Sequence, residues 1–494
     1  MMSIAHHLPA LLVVTPLAGA ALTFVTERRR DPVVAVLTGL TILGLSIGLV
    51  VRVLSVGPFR YEIGGWGAPA GIDLVADGAS ALFVLLSAVV GLAVTVYATD
   101  YFRGPRASVY GHGMFWTLWL FMWTSLNALF LTGDIFNVYV CLELVGISAV
   151  ALVTLNGGSR ALRAGARYLF SSMLAAMTYL LGVAIVYSAT GSLDMAILRS
   201  TLVPDPAAAT GLSLMVAALL LKTALVPAHF WLPSAHGSAP SPVSAVLSAL
   251  VVKGSYYTIL RLMISVAPPG YLPGVDIVLG VLGATAIIWG SLQALVQTRI
   301  KQLVAYSTVA QIGYLFIVFP LARAGTDVFL LALGGALFHA ITHALAKSGF
   351  FLAAGSLASR FGYERIDEMA GAARSAPVLV MTLALAGVTM MGLPPSGGFA
   401  AKWMLVSAAL SAGQWWWALV LVTGGLLAAA YMFRLLGVLL RDSPAALNPP
   451  SGTIRTEWVP LSLAAGAALL VLASPLVTEL VNTSVLVLGQ GVTP

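Results

Sequence analysis

About fourteen apolar runs follow one another through this sequence, joined only by short polar stretches. Each is close to the ~20 residues a helix needs to cross a bilayer, and nothing constrains the fold more. A chain that is 59% hydrophobic and 9% charged has too little polar surface to cover such runs in water. In lipid, every backbone polar group must be satisfied inside its own segment, which selects helices. The expected fold class is an all-α polytopic membrane protein. The runs are expected at roughly 8–26, 32–55, 75–98, 113–132, 133–155, 165–190, 210–230, 240–263, 272–297, 303–321, 327–355, 375–394 continuing to 412, 415–440 and 456–482. The longest joints, near 56–74, 191–209, 356–374 and 441–455, hold about 15–20 residues, and none reads as a soluble domain.

Net charge +7 would suit nucleic acid, but the basic residues lie between apolar runs. With the N-terminus outside, sixteen of the 25 basic residues fall in inner loops and five (Arg52, Arg60, Arg199, Arg261 and Arg323) on the outer side. That excess follows the positive-inside rule and places both termini outside. The first run has no basic leader, and Arg28, Arg29 and Arg30 follow it, so it reads as a retained helix and not a cleaved signal. The 49 glycines suit close helix packing in lipid. A single cysteine, Cys141, excludes an internal disulfide and a cysteine-based metal cluster.

Two spans are expected to break. The seventh runs into Leu225-Val-Pro-Ala-His-Phe-Trp-Leu-Pro233, with Pro227 and Pro233; the twelfth contains Gly392-Leu-Pro-Pro-Ser-Gly-Gly-Phe399, with Pro394 and Pro395. Proline removes a donor and kinks a helix. Interrupted helices at matching positions of two halves suggest inverted repeats around an ion path. The division that follows is 1–112, 113–263 (spans 4–8), 264–440 (spans 9–13) and 441–494.

Of five lysines, Lys222, Lys253, Lys347 and Lys402 lie inside apolar runs, and only Lys301 falls in an obvious loop. A lysine at mid-bilayer costs roughly 2.5–3.5 kcal/mol on insertion scales. Lysine placed almost wholly where it is most costly points to handling of protons or cations. Glu143 is the one acid deep in a span. Close together, a buried carboxylate and ammonium hold each other charged; apart, each can take or release a proton. Lys222, beside the break at Pro227, is the expected partner of Glu143. A static ion pair that fixes helix packing is the plainer reading.

His339, His343 and Lys347 recur at i, i+4, i+8 and share one helix face. Histidine relays protons near neutral pH. Two histidines without a third ligand make a poor zinc site, so no metal is expected. The alternative is a polar seam without a transport role. His229 and His236 flank the seventh-span break, where they either link Lys222 to Lys253 or cap freed carbonyls. His6, His7 and His112 lie near membrane edges, and Asp134 reads as a helix N-cap.

These residues resemble the antiporter-like subunits shared by respiratory complex I, membrane-bound hydrogenases and Mrp-type multisubunit cation/proton antiporters. The resemblance rests on Lys222-Thr-Ala-Leu-Val-Pro-Ala-His-Phe-Trp-Leu-Pro-Ser-Ala-His236, Ala239-Pro-Ser-Pro-Val-Ser-Ala245 leading to Lys253, Ala305-Tyr-Ser-Thr-Val-Ala-Gln-Ile-Gly-Tyr314, and Gly392–Phe399 leading to Lys402. Leu131-Thr-Gly-Asp-Ile-Phe-Asn137 and Trp66–Asp77 look most like the D-type member of the Mrp set. The resemblance implies fourteen helices, two inverted five-helix repeats and a polar axis. Its key ion pair falls on Glu143 and Lys222, and its further axis positions on Lys253, His343 and Lys402. The chain departs from the pattern in one loop: Arg299 stands where an Asp is usual and Gln302 where an Arg is usual. His339 is additional to the pattern.

The function expected is a proton-translocating subunit of a sodium/proton antiporter, embedded with other subunits in the cell membrane. A subunit of a redox-driven complex, or a self-sufficient solute carrier, are the rivals. No cofactor is expected on this chain, and no enzymatic reaction of its own.

Overall fold

The computed structural model describes residues 4–26, 30–103, 111–268, 270–442 and 455–484. Within them, thirteen helices are long and apolar enough to cross a membrane. The first six are α1 (Ala5–Val25), α2 (Asp31–Val56), α3 (Gly78–Tyr101), α4 (Met114–Leu131), α5 (Ile135–Thr154) and α6 (Gly158–Thr190). A surface helix α7 (Met195–Thr201) precedes the interrupted pair α8 (Pro206–Thr223) and α9 (Leu232–Ser238). Then come α10 (Ser241–Val266), α11 (Val275–Val296), α12 (Ile300–Leu321) and α13 (Thr326–Phe361). A second interrupted pair, α14 (Pro377–Met391) and α15 (Gly397–Ser411), leads to α16 (Trp415–Leu439) and α17 (Trp458–Asn482). Counting each interrupted pair as one span gives the expected fourteen. The chain is a multi-pass membrane protein.

Both expected breaks are present, at 224–231 and 392–396. Pro227, Pro394 and Pro395 lie in the unwound segments. Pro233 does not: it sits in the first turn of α9, where its missing N–H costs nothing and its fixed φ favours the helix.

Three other expectations are corrected. The joint near 56–74 is an antiparallel hairpin, β1 (Phe59–Glu62) paired with β2 (Asp73–Ala76) in the register Phe59↔Ala76. The sixth span starts earlier, so Arg160 and Arg163 extend the first turns of α6 and are not loop residues. Lys301 belongs to the first turn of α12 and not to a loop. The side chains of Arg28, Arg29, Arg106 and His112 lie outside the described residues.

Contacts sort the charged joints onto two faces. On one, Arg60 holds Asp73 at 2.9 Å and Asp194 at 3.0 Å, which fastens the hairpin to the segment before α7. Main-chain bonds from Gly133 to Asp73 and from Met195 to Gly133 bring the start of α5 into the same knot. Burial pushes the Asp73 carboxyl up, and the Arg60 guanidinium pulls it part of the way back. On the opposite face lie Arg160, Arg299, Glu364, Arg360 and Glu457.

Helix α10 runs through the middle of the bundle, buried along its length. Close backbone approach comes from glycine pairs. A Cβ on Gly182 would lie 2.5 Å from the Gly211 carbonyl, and one on Gly283 would lie 2.7 Å from that of Gly313. These contacts seat α6 on α8 and α11 on α12 as small residues do in lipid.

Candidate functional site

Lys222 occupies the last turn of α8, two residues before the chain unwinds. The helix is capped by Ala224 in the left-handed region (φ 57°), a strained conformation for a residue with a side chain. The Lys222 Nζ stands 3.3 Å from Glu143 Oε1 on α5 and donates to Ser172 Oγ on α6 at 2.9 Å and to the Leu142 carbonyl at 3.3 Å. The negative end of the α8 dipole favours an ammonium there. Indole Nε1 of Trp231 donates to the Leu221 carbonyl at 2.9 Å, which also accepts from the Ala224 amide.

Beside this pair lies a narrow cavity with room for about one water. Lys222, Ser172 and Tyr168 line it, together with Val251 and Ser255 of α10. The pair therefore abuts the helix that carries Lys253.

Each of the other buried amines takes a main-chain carbonyl. Lys253 donates to the Ser248 carbonyl at 2.6 Å, and Ser248 sits in a π-helical stretch, Leu247–Val251. Wider π turns misalign carbonyls that a regular helix would use, and they recur at functional sites. Lys347 donates to the Val304 carbonyl at 2.9 Å and to Ser307 Oγ, both on α12. Lys402 reaches back across the second break to the Met390 carbonyl at 2.6 Å, at the C-terminal end of α14, with its Nζ 4.3 Å from the centre of the Tyr314 ring. Among the described residues these three amines are held by neutral acceptors, and Lys222 alone has a carboxylate.

The histidines fill the spaces between. The rings of His339 and His343 stack at 5.7 Å and 5° on one face of α13. His343 is within electrostatic reach of Lys253, Lys347 and Lys402, and no hydrogen-bond partner of its ring is seen among the described residues. His339 Nε2 contacts the Gln311 carbonyl at 3.2 Å. His236 is buried and stacked on Phe351 at 4.5 Å, within electrostatic reach of Lys253, Lys301 and Lys347. Neither of its ring nitrogens has a hydrogen-bond partner among the described residues, so it does not cap the carbonyls of the break. His229 lies by Pro227 at the edge of the break, half-exposed, its ring 6.4 Å from that of Tyr306.

Among the described residues no cluster of three metal-ligating side chains forms. A cavity of about 220 Å³ opens on the arginine-rich face, lined by Arg160, Ser241, Arg299, Lys301 and Glu364. It places solvent next to Lys301, which His236 reaches electrostatically.

Several residues at this site carry no role that the sequence alone suggests: Ser172, Ser248, Ser307, Gln311 and Tyr314. Their signal is present as hydroxyls and an amide inside apolar runs. A serine in a membrane helix bonds its own carbonyl four residues back as readily as a neighbour, so position alone does not select them. Arg261, counted with the outer-side residues, lies near the end of α10, buried in a 2.7 Å pair with Asp77 at the start of α3 and bonded to the Tyr257 hydroxyl.

Residues 132–428 match the family model described as NADH:quinone oxidoreductase/Mrp antiporter, transmembrane. The chain is 38% identical over 440 residues to NADH-quinone oxidoreductase subunit N of Desulforudis audaxviator, covering 87% of this chain and 86% of the relative. It is 29% identical over 411 residues to the D-type subunit of the Na(+)/H(+) antiporter of Alkalihalophilus pseudofirmus, covering 81% and 80%. The fold is similar to a chain in the structure of the Mrp complex from Dietzia sp., with TM-score 0.87, 24% identity and coverage of 98% and 97%.

Proposed function

This chain belongs to the NADH:quinone oxidoreductase/Mrp antiporter membrane family, and from that premise we propose that it is the proton-translocating, antiporter-like subunit of a multisubunit sodium/proton antiporter. Its partners are the other subunits of that complex, in the cell membrane, with both termini outside. Segments 113–263 and 264–440 act as two inverted repeats, each with one interrupted span.

The observation that carries the reading is the contact between Glu143 and Lys222 at an unwound helix end, abutting the helix of Lys253. A proton moves along Lys222, Lys253, the His343–Lys347 face and Lys402, with His339 and His236 alongside. The cavity on the arginine-rich face gives access through Lys301 and His236. A carbonyl accepts from a neutral amine as well as from an ammonium, so amines held by carbonyls can change charge without losing their place. Among the described residues, Lys222 is the one buried amine with a carboxylate within 4 Å. Lengthening that contact removes the main stabilisation of its charge and drives the proton onward.

The test is proton-coupled cation exchange by the assembled complex in vesicles. Lys222→Ala should abolish exchange while leaving subunit assembly intact; normal exchange in that variant rejects the mechanism. A second reading is a proton-pumping membrane subunit of a redox-driven complex, favoured by the 38% identity to an oxidoreductase subunit. Mass spectrometry of the natively purified complex separates the two: small antiporter subunits support the first reading, iron–sulfur subunits the second.

A further inference from the structure

The chain's departure at residues 299 and 302 has a structural counterpart. A β-bridge joins residue 299 to residue 365, and the Ile300 amide donates to the Glu364 carbonyl at 3.1 Å. The pairing sets the Glu364 carboxylate at the mouth of the 220 Å³ cavity. A single oxygen, Oε2, faces two guanidiniums, Arg160 at 3.5 Å and Arg299 at 3.7 Å. Neither contact is the short, two-pronged geometry in which a guanidinium grips a carboxylate, and Glu364 is 56% exposed.

Donors crowd the rest of the cavity. Arg160 Nη2 and Gln302 Nε2 converge within 3.6 Å of one point above Gly237, where the missing side chain leaves room. Lys301 lies at the floor, with Nζ donating to the Ala239 carbonyl at 3.0 Å. Three cationic side chains and one loosely held carboxylate give the lining a net charge of about +2.

We propose that this cavity binds a small oxyanion, phosphate-like or carboxylate, between Arg160, Arg299 and Lys301, with Glu364 as the internal group it displaces. An exposed ion pair of this geometry is weak, so an anion able to bridge both guanidiniums outcompetes it. The same positive field keeps metal cations away from the cavity next to Lys301 and His236. Free anion and membrane phosphodiester headgroup share this chemistry.

The test uses the purified complex in nanodiscs and reads thermal unfolding, with no ion flux involved. Its failure would therefore leave the proton reading standing. Inorganic phosphate, against chloride at equal ionic strength, should raise the unfolding temperature by about 1–2 °C. Glu364→Gln should lower the phosphate concentration giving half the shift by up to about fivefold. Arg299→Asp should abolish the shift, and Arg299→Lys, which keeps the charge but not the fork, should retain part of it. If phosphate is silent but phosphatidylglycerol in place of phosphatidylcholine gives the shift, again lost in Arg299→Asp, the site takes a lipid headgroup. No shift from either source, or a shift unchanged in Arg299→Asp, overturns the proposal.

Discussion

The four buried amines differ in one respect that decides their chemistry. Lys253, Lys347 and Lys402 rest on carbonyls and a hydroxyl, whereas Lys222 adds a carboxylate. Its third polar partner, Ser172 Oγ at 2.9 Å, holds the ammonium on the line to Glu143. A hydrogen bond to a charged group is worth roughly 1.5–3 kcal/mol, which sets the scale for losing it. Ser172→Ala should slow proton-coupled exchange about tenfold, and Ser172→Thr should restore most of it; unchanged rates in Ser172→Ala would remove this serine from the site. The i, i+4, i+8 spacing of His339, His343 and Lys347 is readable in the sequence, and the stacked imidazoles follow from it. The carbonyl acceptors are not readable, because every residue has one and only the backbone path shows which are free.

At the scale of elements, irregular backbone does the positioning. A π turn presents the Ser248 carbonyl to Lys253 and the helix end at the second break presents the Met390 carbonyl to Lys402, whereas Lys347 takes the Val304 carbonyl inside α12. The second break depends on Gly398, since a Cβ there would overlap the Thr389 carbonyl oxygen. Gly398→Ala must push α15 off α14 and pull Lys402 from Met390. Exchange should fall by about an order of magnitude or more in complexes that still assemble; wild-type rates would show that the joint tolerates the shift. Elsewhere the ends of α3 and α10 are tied by Arg261 and Asp77, 7% and 0% exposed. Removing one partner of such a pair strands a buried charge and costs about 3–5 kcal/mol. Arg261→Met should lower the unfolding temperature markedly, and adding Asp77→Asn should recover part of the loss. Equal stability of the single and double variants would mean that the pair contributes nothing. The proline clusters announce the breaks, but Pro233 opens a helix instead, because a proline in a first turn has no bond to lose.

Over the whole molecule, burial is inverted relative to a soluble protein only at the rim. Polar groups are drawn inward along α5, α8, α10, α12, α13 and α15, while large apolar side chains such as Leu426 (68% exposed) cover the outside of α16. A charge on that lipid-facing stripe meets the insertion cost of roughly 2.5–3.5 kcal/mol with no partner. Leu426→Lys should sharply reduce the amount of chain in the membrane fraction; normal membrane levels would place this face in water or against a polar partner.

Hydropathy alone determined how many times the chain crosses and where, because a span's length is dictated by bilayer thickness and not by its neighbours. It also marked Lys222, Lys253, Lys347, Lys402 and Glu143, since a charge in lipid is costly wherever it falls. The break beside Lys222 also singled it out as the partner of Glu143, whereas the tertiary structure alone decided that Arg261 is buried against Asp77 and that Arg160 and Arg299 converge on Glu364. These contacts join segments far apart in the chain, through helices that are apolar over most of their surface. In such helices close shape-matching selects the partner, and no periodicity in the sequence records it.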